Sequence, residues 1–202
     1  KIMSVRVAVI YYSSTGTVHA LATAVAEGAK ATGAEVRLRR VKELAPDEAV
    51  DANPAWRAHV DATSGQVQEA TVEDLEWATA MAFGTPTRFG LPAAQLKQFI
   101  DQTGRLWLAG ALASKAVTSF TSSQNRHGGQ ESTLLALNNT FYHWGSIIVP
   151  TGYTDSSVYA AGGNPYGASW ATADGPTPDS NALAVAHYQG KRLASIAGRL
   201  AG

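Results

Sequence analysis

Val5-Arg-Val-Ala-Val-Ile-Tyr-Tyr12, followed at once by Ser13-Ser14-Thr15-Gly16-Thr17-Val18, is the stretch that decides the fold. The first eight residues are β-branched, aromatic and apolar almost throughout, the pattern of a strand covered on both faces. A short hydroxyl-rich loop then runs straight into Val18, Leu21, Ala22, Val25, Ala26 and Ala29, a helical stripe that stops at Gly33. Strand, tight loop and helix in that order open a parallel α/β unit.

The same alternation continues outward. A second strand is expected over 35–41, a third over 79–83, a fourth over 116–120 and a fifth over 147–149, closed by Pro150. Thr71-Val-Glu-Asp74 has the form of a capping box and opens a short helix. Pro92 is expected at the first position of a helix carrying Leu96, Phe99 and Ile100, with Gly104 as its stop. Further helices are expected over 130–144, ended by Gly145, and over 181–200. Two stretches, 42–70 and 151–180, stay unassigned; the second is rich in Gly, Pro, Ser and aromatics. The fold expected is a three-layer α/β, flavodoxin-like arrangement of residues 1–202 as one domain, with insertions near 42–70 and 151–180. Its five parallel strands would run in the order 2-1-3-4-5 with helices on both faces. Lys1 and Ile2 read as a remnant ahead of that fold.

In that order the ligand crevice lies at the C-terminal ends of strands one and three, so the loops leaving them should be unusual. They are. Ser13, Ser14, Thr15, Gly16, Thr17 and Val18 combine hydroxyls, a glycine and a helix N-terminus, an anion cradle without lysine or arginine. Gly-x-x-x-x-Gly-Lys-Ser/Thr and Gly-x-Gly-x-x-Gly are both missing from the chain, so a neutral loop of this kind suits a phosphate monoester on a held ligand. Taken alone, it reads equally well as a plain helix cap. After the third strand come Gly84-Thr85-Pro86-Thr87-Arg88-Phe89-Gly90, a rigid turn with a cation and an aromatic. A flavin ring there would meet backbone N–H groups, and Arg88 would favour its anionic reduced state. After the fourth strand, Thr121-Ser-Ser-Gln-Asn-Arg-His-Gly-Gly129 offers more amides and hydroxyls.

Composition narrows the chemistry. Sixteen basic and sixteen acidic residues cancel, which argues against nucleic acid or an anionic membrane surface as partner. There is no cysteine, so disulfides, thiolate catalysis and Cys-ligated metals are excluded, and redox chemistry needs a bound cofactor. His19, His59, His127, His143 and His187 show no metal-binding spacing. No working hydrolase motif occurs either. Apolar runs are too short to span a membrane, and the first residues lack the pattern of a signal peptide. A soluble cytoplasmic protein is expected.

The residues resemble the WrbA-type flavoproteins, FMN-dependent NAD(P)H:quinone oxidoreductases. The resemblance is carried by Val9-Ile-Tyr-Tyr-Ser13, Phe83-Gly-Thr-Pro-Thr-Arg-Phe-Gly90, Asp101-Gln-Thr-Gly104 with Leu106-Trp107, and Gly128-Gly-Gln-Glu131. Val149-Pro-x-Gly-Tyr153, Asn164-Pro-Tyr-Gly-Ala168 and Tyr188-Gln-Gly190 extend it over essentially the whole chain. It implies FMN phosphate at Ser13 to Val18 and the isoalloxazine edge at Pro86, Thr87, Arg88, Phe89 and Gly90. Further flavin contacts would come from Ser122, Ser123, Gln124, Asn125 and Gly128. It also implies that His143 and Trp107 line the pocket over the flavin, where NADH or NADPH and the quinone take turns. His143 is thereby a proton or hydrogen-bond donor to the quinone, and Thr15 and Trp107 are substrate contacts. By its residues alone, His143 reads as charge compensation at a helix C-terminus and Trp107 as a core or interface aromatic. Thr15 stands where some relatives have tyrosine, and Gln124-Asn-Arg-His127 makes its loop one residue longer than a glycine-richer version.

The resemblance implies two-electron, ping-pong transfer from NAD(P)H to quinone and a homotetramer, to whose assembly 42–70 and 151–180 are assigned. The rivals are an electron carrier of the flavodoxin type, which would be strongly acidic where this chain is neutral, and a regulatory flavin sensor.

Overall fold

The computed structural model describes residues 4–201; Lys1 and Ile2, read as a remnant, lie outside the described residues. Its elements are β1 (Arg6–Tyr11), α1 (Thr17–Lys30), β2 (Glu35–Arg40), α2 (Asp47–Asp51), α3 (Pro54–Ser64), α4 (Val72–Trp77), β3 (Ala80–Arg88) and β4 (Leu91–Pro92). There follow α5 (Ala94–Asp101), α6 (Gly104–Leu108), β5 (Ala116–Ser123), α7 (Gln130–Trp144), β6 (Ile147–Ile148), α8 (Ser156–Ala160), β7 (Ser169–Ala171) and α9 (Ser180–Leu200).

The main path of the sheet is β2-β1-β3-β5-β6, all parallel. This is the doubly wound order expected for the five principal strands, but the sheet has seven. The short β4 folds back antiparallel on β3, and β7 adds in parallel to the C-terminal end of β5. The five-strand expectation is corrected on that point.

Alternation along β1 divides the core in two. Val7, Val9 and Tyr11 face α1 and α9, while Ala8, Ile10 and Tyr12 face Leu75 of α4, Leu96 and Phe99 of α5, and Leu137 and Phe141 of α7. Helices therefore cover both faces, as a parallel sheet requires. On the first face α1 and α9 approach so closely that glycine is needed at the crossing. A methyl group built on Gly190 would lie 1.9 Å from the Val25 carbonyl oxygen, and one on Gly28 would lie 1.8 Å from that of His187.

Helix α7 has the expected bounds, but β3 and β5 run several residues past the ends expected for them. Thr85 and Thr121 look like loop residues in sequence, yet they pair across the sheet and are fully buried. Their hydroxyls explain it: Thr121 donates to the Thr85 carbonyl at 2.7 Å, and Thr85 accepts from the Ala93 amide at 3.0 Å. Pro86 is tolerated in β3 because pairing with β1 has stopped at Gly84, leaving that edge without need of its N–H. Pro92 ends β4 rather than starting α5, whose first residue is Ala94, and Gly104 begins α6 instead of serving only as a stop.

Candidate flavin site

The C-terminal ends of β1, β3 and β5 enclose a cleft of about 510 Å³. Ser14, Thr15 and Thr17 line it from the first loop, Pro86, Thr87, Arg88 and Phe89 from the second, and Ser122, Ser123, Gln124, Asn125 and Gly128 from the third. Three stretches far apart in sequence thus meet at the predicted switch point.

Helix α1 presents its open end to this cleft. Its first helical hydrogen bond is from Ala20 N to Gly16 O, so the N–H groups of Thr17, Val18 and His19 have no acceptor inside the helix. Its N-cap is Gly16 and no side chain caps it. The hydroxyls divide their work. Ser13 Oγ accepts from Gly16 N at 3.0 Å and shapes the turn, and Thr17 Oγ1 donates to the Pro176 carbonyl at 2.9 Å. Ser14 and Thr15 remain toward the cleft, while the Val18 side chain is in the core and only its backbone faces the loop. An uncapped helix N-terminus beside two hydroxyls is a donor set that fits a phosphate monoester.

The second wall is rigid. Thr87 Oγ1 accepts from Gly90 N at 3.0 Å and from Thr133 Oγ1 at 2.8 Å, tying the turn to α7. Phe89 is held at φ 55° and is fully exposed, an uncommon backbone state for a bulky residue and an unfavourable place for an apolar ring in a free chain. Arg88 reaches across the cleft mouth, where Nη2 donates to Ser14 Oγ at 3.3 Å. The cation missing from the first loop is therefore supplied by the second.

On the third wall, Ser123 Oγ donates to Asn125 O at 2.6 Å and accepts from Gln130 Nε2 at 2.9 Å, so it serves the loop. Gln124 holds the 151–180 stretch, its carbonyl accepting from Ala173 N at 2.8 Å. Thr172 and Ala173 line the cleft as well, through β7, and were missed in the sequence. The excessive length of 151–180 was the one signal pointing there.

His143 and Trp107 lie elsewhere. His143 is exposed near the C-terminal end of α7, whose N-terminal end meets the cleft; a 15-residue helix is about 22 Å long. Trp107 Nε1 donates to the His143 carbonyl at 2.9 Å, and both border a separate hollow of about 400 Å³ with Thr103, Asn139 and Thr140. Within one chain they do not face the cleft. Among the described residues no helix is long and apolar enough to cross a membrane, and no group of His, Asp and Glu has metal-binding geometry.

The sequence profile described as NADPH-dependent FMN reductase matches residues 5–159. The chain is 46% identical over 198 residues to a protein of Deinococcus radiodurans named NAD(P)H dehydrogenase (quinone), covering 98% of each chain. A Syntrophobacter fumaroxidans protein of the same name is 45% identical over 209 residues, covering 96% of this chain and 98% of its own. Among solved structures, a flavodoxin, WrbA-like protein from Agrobacterium tumefaciens superposes with a TM-score of 0.70 at 25% identity, covering 97% and 99% of the two chains. An archaeal flavodoxin at 15% identity and a TM-score of 0.62 shares the fold. The chain belongs to the NADPH-dependent FMN reductase family.

Proposed function

We propose that this protein is an FMN-dependent NAD(P)H:quinone oxidoreductase, moving two electrons per turnover by a ping-pong route in which donor and quinone alternate in one place. The observation that carries the reading is the cleft: an uncapped helix N-terminus and two hydroxyls on one wall, and a rigid Thr87–Gly90 turn with its guanidinium on the other. Bound FMN supplies the hydride chemistry that no side chain of this chain can perform. Ser14, Thr15 and the amides of Thr17, Val18 and His19 would hold its phosphate. Thr87, Arg88 and Phe89 would hold one edge of the ring system, and Ser122, Gln124, Asn125 and Gly128 the remainder. Arg88 places a positive charge where reduction adds negative charge. Phe89 keeps water from that edge.

His143 and Trp107 reach a flavin only if a second copy brings them. The apolar side chains Leu91 of β4, Leu135 and Tyr142 of α7 and Leu108 of α6 are exposed, and we take them to form one flank. We assign this flank to assembly of a homotetramer in which the Trp107–His143 end of one copy closes the cleft of another. There His143 would donate a proton or hydrogen bond to the quinone oxygen, and Trp107 and Thr15 would border the substrate. The setting is the cytoplasm, with neither nucleic acid nor membrane as partner.

The test is direct. The purified protein should carry a yellow flavin that NADH or NADPH bleaches and benzoquinone restores, with parallel initial-rate lines. Efficient electron exchange with another protein but no quinone turnover would favour the carrier; intersecting lines would overturn the ping-pong route alone.

A further inference from the structure

The 42–70 stretch packs behind the first loop of the cleft. Glu43 is its anchor: the carboxylate accepts from Tyr12 Oη at 2.9 Å, Trp56 Nε1 at 3.0 Å and Gln95 Nε2 at 2.7 Å, and from the amides of Leu44 and Ala45. Tyr12 immediately precedes Ser13, so α3 is pinned to the strand end from which the loop departs. One turn beyond Trp56 is His59. A methyl group built on Gly16 would lie 3.4 Å from His59 Nδ1, which places the imidazole against the back of the turn. Gly16 has φ +100°, a state that a side chain would strain even without the histidine behind it.

We propose that His59 is a positioning and charge-compensating residue for the flavin phosphate: it supports Gly16 from behind and takes up a proton from solvent when a phosphate dianion settles on the N-terminus of α1. This rests on the FMN reading and extends it to a residue outside the loop. The groups facing the imidazole are His19 from α1, Tyr11 from β1 with Tyr12 just after it, Arg40 from β2 and the Glu43 carboxylate; with Ser13, several of them enclose a hollow of about 20 Å³. His19 shares a 2.6 Å hydrogen bond with Tyr11 Oη, and Arg40 is paired with Glu69 at 3.2 Å.

With no anion in place, burial first, and then His19 and Arg40, push the His59 pKa down to about 4. Burial also lowers that of His19. Tyr11 and Tyr12 are pushed up by burial and stay neutral. Burial by itself would raise Glu43, but its hydrogen bonds hold it below the usual carboxylate range. A nearby opposite charge shifts a pKa toward the charged form by about one to three units. A phosphate dianion on the other side of the loop would therefore raise the His59 pKa back toward the ordinary histidine range and favour its protonation.

The test titrates FMN and riboflavin into the flavin-free full chain between pH 8 and pH 6, comparing wild type with His59→Gln. The flavin phosphate has its own ionisation near pH 6, which both proteins share, so the ratio of their affinities reads His59. For FMN, the wild-type advantage should grow about two- to tenfold as pH falls to 6, as uptake of between half and most of one proton at that pH requires. For riboflavin the ratio should stay flat. His59→Ala, checked for native helicity by circular dichroism, should lose the same slope. A flat ratio for FMN, or an equal slope for riboflavin, overturns the proposal while leaving FMN binding intact. Failure of the folded wild type to bind FMN overturns the flavin reading and this proposal together.

Discussion

The two ends of α7 are built for different partners. At its N-terminal end, Thr133 is buried and bonded to Thr87, and Gln130 is bonded to Ser123, so the helix serves to set two walls of its own chain's cleft. At its C-terminal end, Tyr142 and His143 are exposed, and the neighbouring Trp107 is 52% exposed although one of its atoms is hydrogen bonded. One end is satisfied within the chain. The other displays aromatic surface to solvent, which fits the interface proposed above. A binding site and the side chains expected to act in it thus occupy opposite ends of one helix, and in the assembly proposed above a second copy brings them together.

Substitutions can separate the two ends. Tyr142→Arg should have the largest effect: the residue is exposed, so folding should change little, but a charge in the proposed interface should dissociate the assembly. Quinone turnover should fall about a hundredfold while FMN stays bound, measured by sedimentation and steady-state rates. Retained turnover in a monomer would dissolve the contrast between the ends. At the cleft end, Gly16→Val strains the φ +100° turn at about 1–2 kcal/mol, so FMN affinity should weaken about five- to thirtyfold in a fluorescence titration. On the proposed reading, His143→Ala removes the hydrogen bond to the quinone, worth about 1 kcal/mol. It should slow reoxidation by quinone about fivefold in stopped flow and leave reduction by NAD(P)H unaltered.

The last effect concerns stability and pH. In the flavin-free chain His59 is held neutral below its usual pKa, so the unfolded state binds more protons between about pH 6.5 and 4. Stability should therefore fall as pH drops through that window. The loss attributable to His59 should be on the order of 1–2 kcal/mol, less than the full shift because the ring is only half-buried. His59→Gln should flatten that part of a denaturation series, and an unchanged profile would remove His59 from the account.

Much of this was legible in the sequence because period and punctuation agree. The apolar run before Ser13 and the stripe after Thr17 specify β1 and α1, and Gly129 and Gly145 bracket α7 at its observed ends. The three cleft loops were legible because the doubly wound order predicts where odd loops belong. What failed were residues whose polarity is answered only in three dimensions. Thr85 and Thr121 read as loop but lie buried in strands, and Thr118 and Ser119, inside the strand expected over 116–120, are buried too, supported by partners such as Gln189, which donates to Thr118 Oγ1 at 2.6 Å. Thr172 and Ala173 join the cleft through β7, and His59 joins its back through α3; both contacts are too long-range for periodicity to show. The position of His143 was available in principle. A helix that starts at the cleft and rises 1.5 Å per residue must carry its fourteenth residue away from it.

The central claim is that the cleft holds FMN by its phosphate, using amides and hydroxyls of the first loop together with Arg88. Equilibrium titration of the flavin-free chain with FMN and with riboflavin tests it most directly. The account predicts micromolar or tighter FMN binding and riboflavin at least about a hundredfold weaker, since charge-assisted hydrogen bonds contribute about 1.5–3 kcal/mol each. Equal affinities for the two flavins, or no binding of FMN by the folded protein, would contradict it.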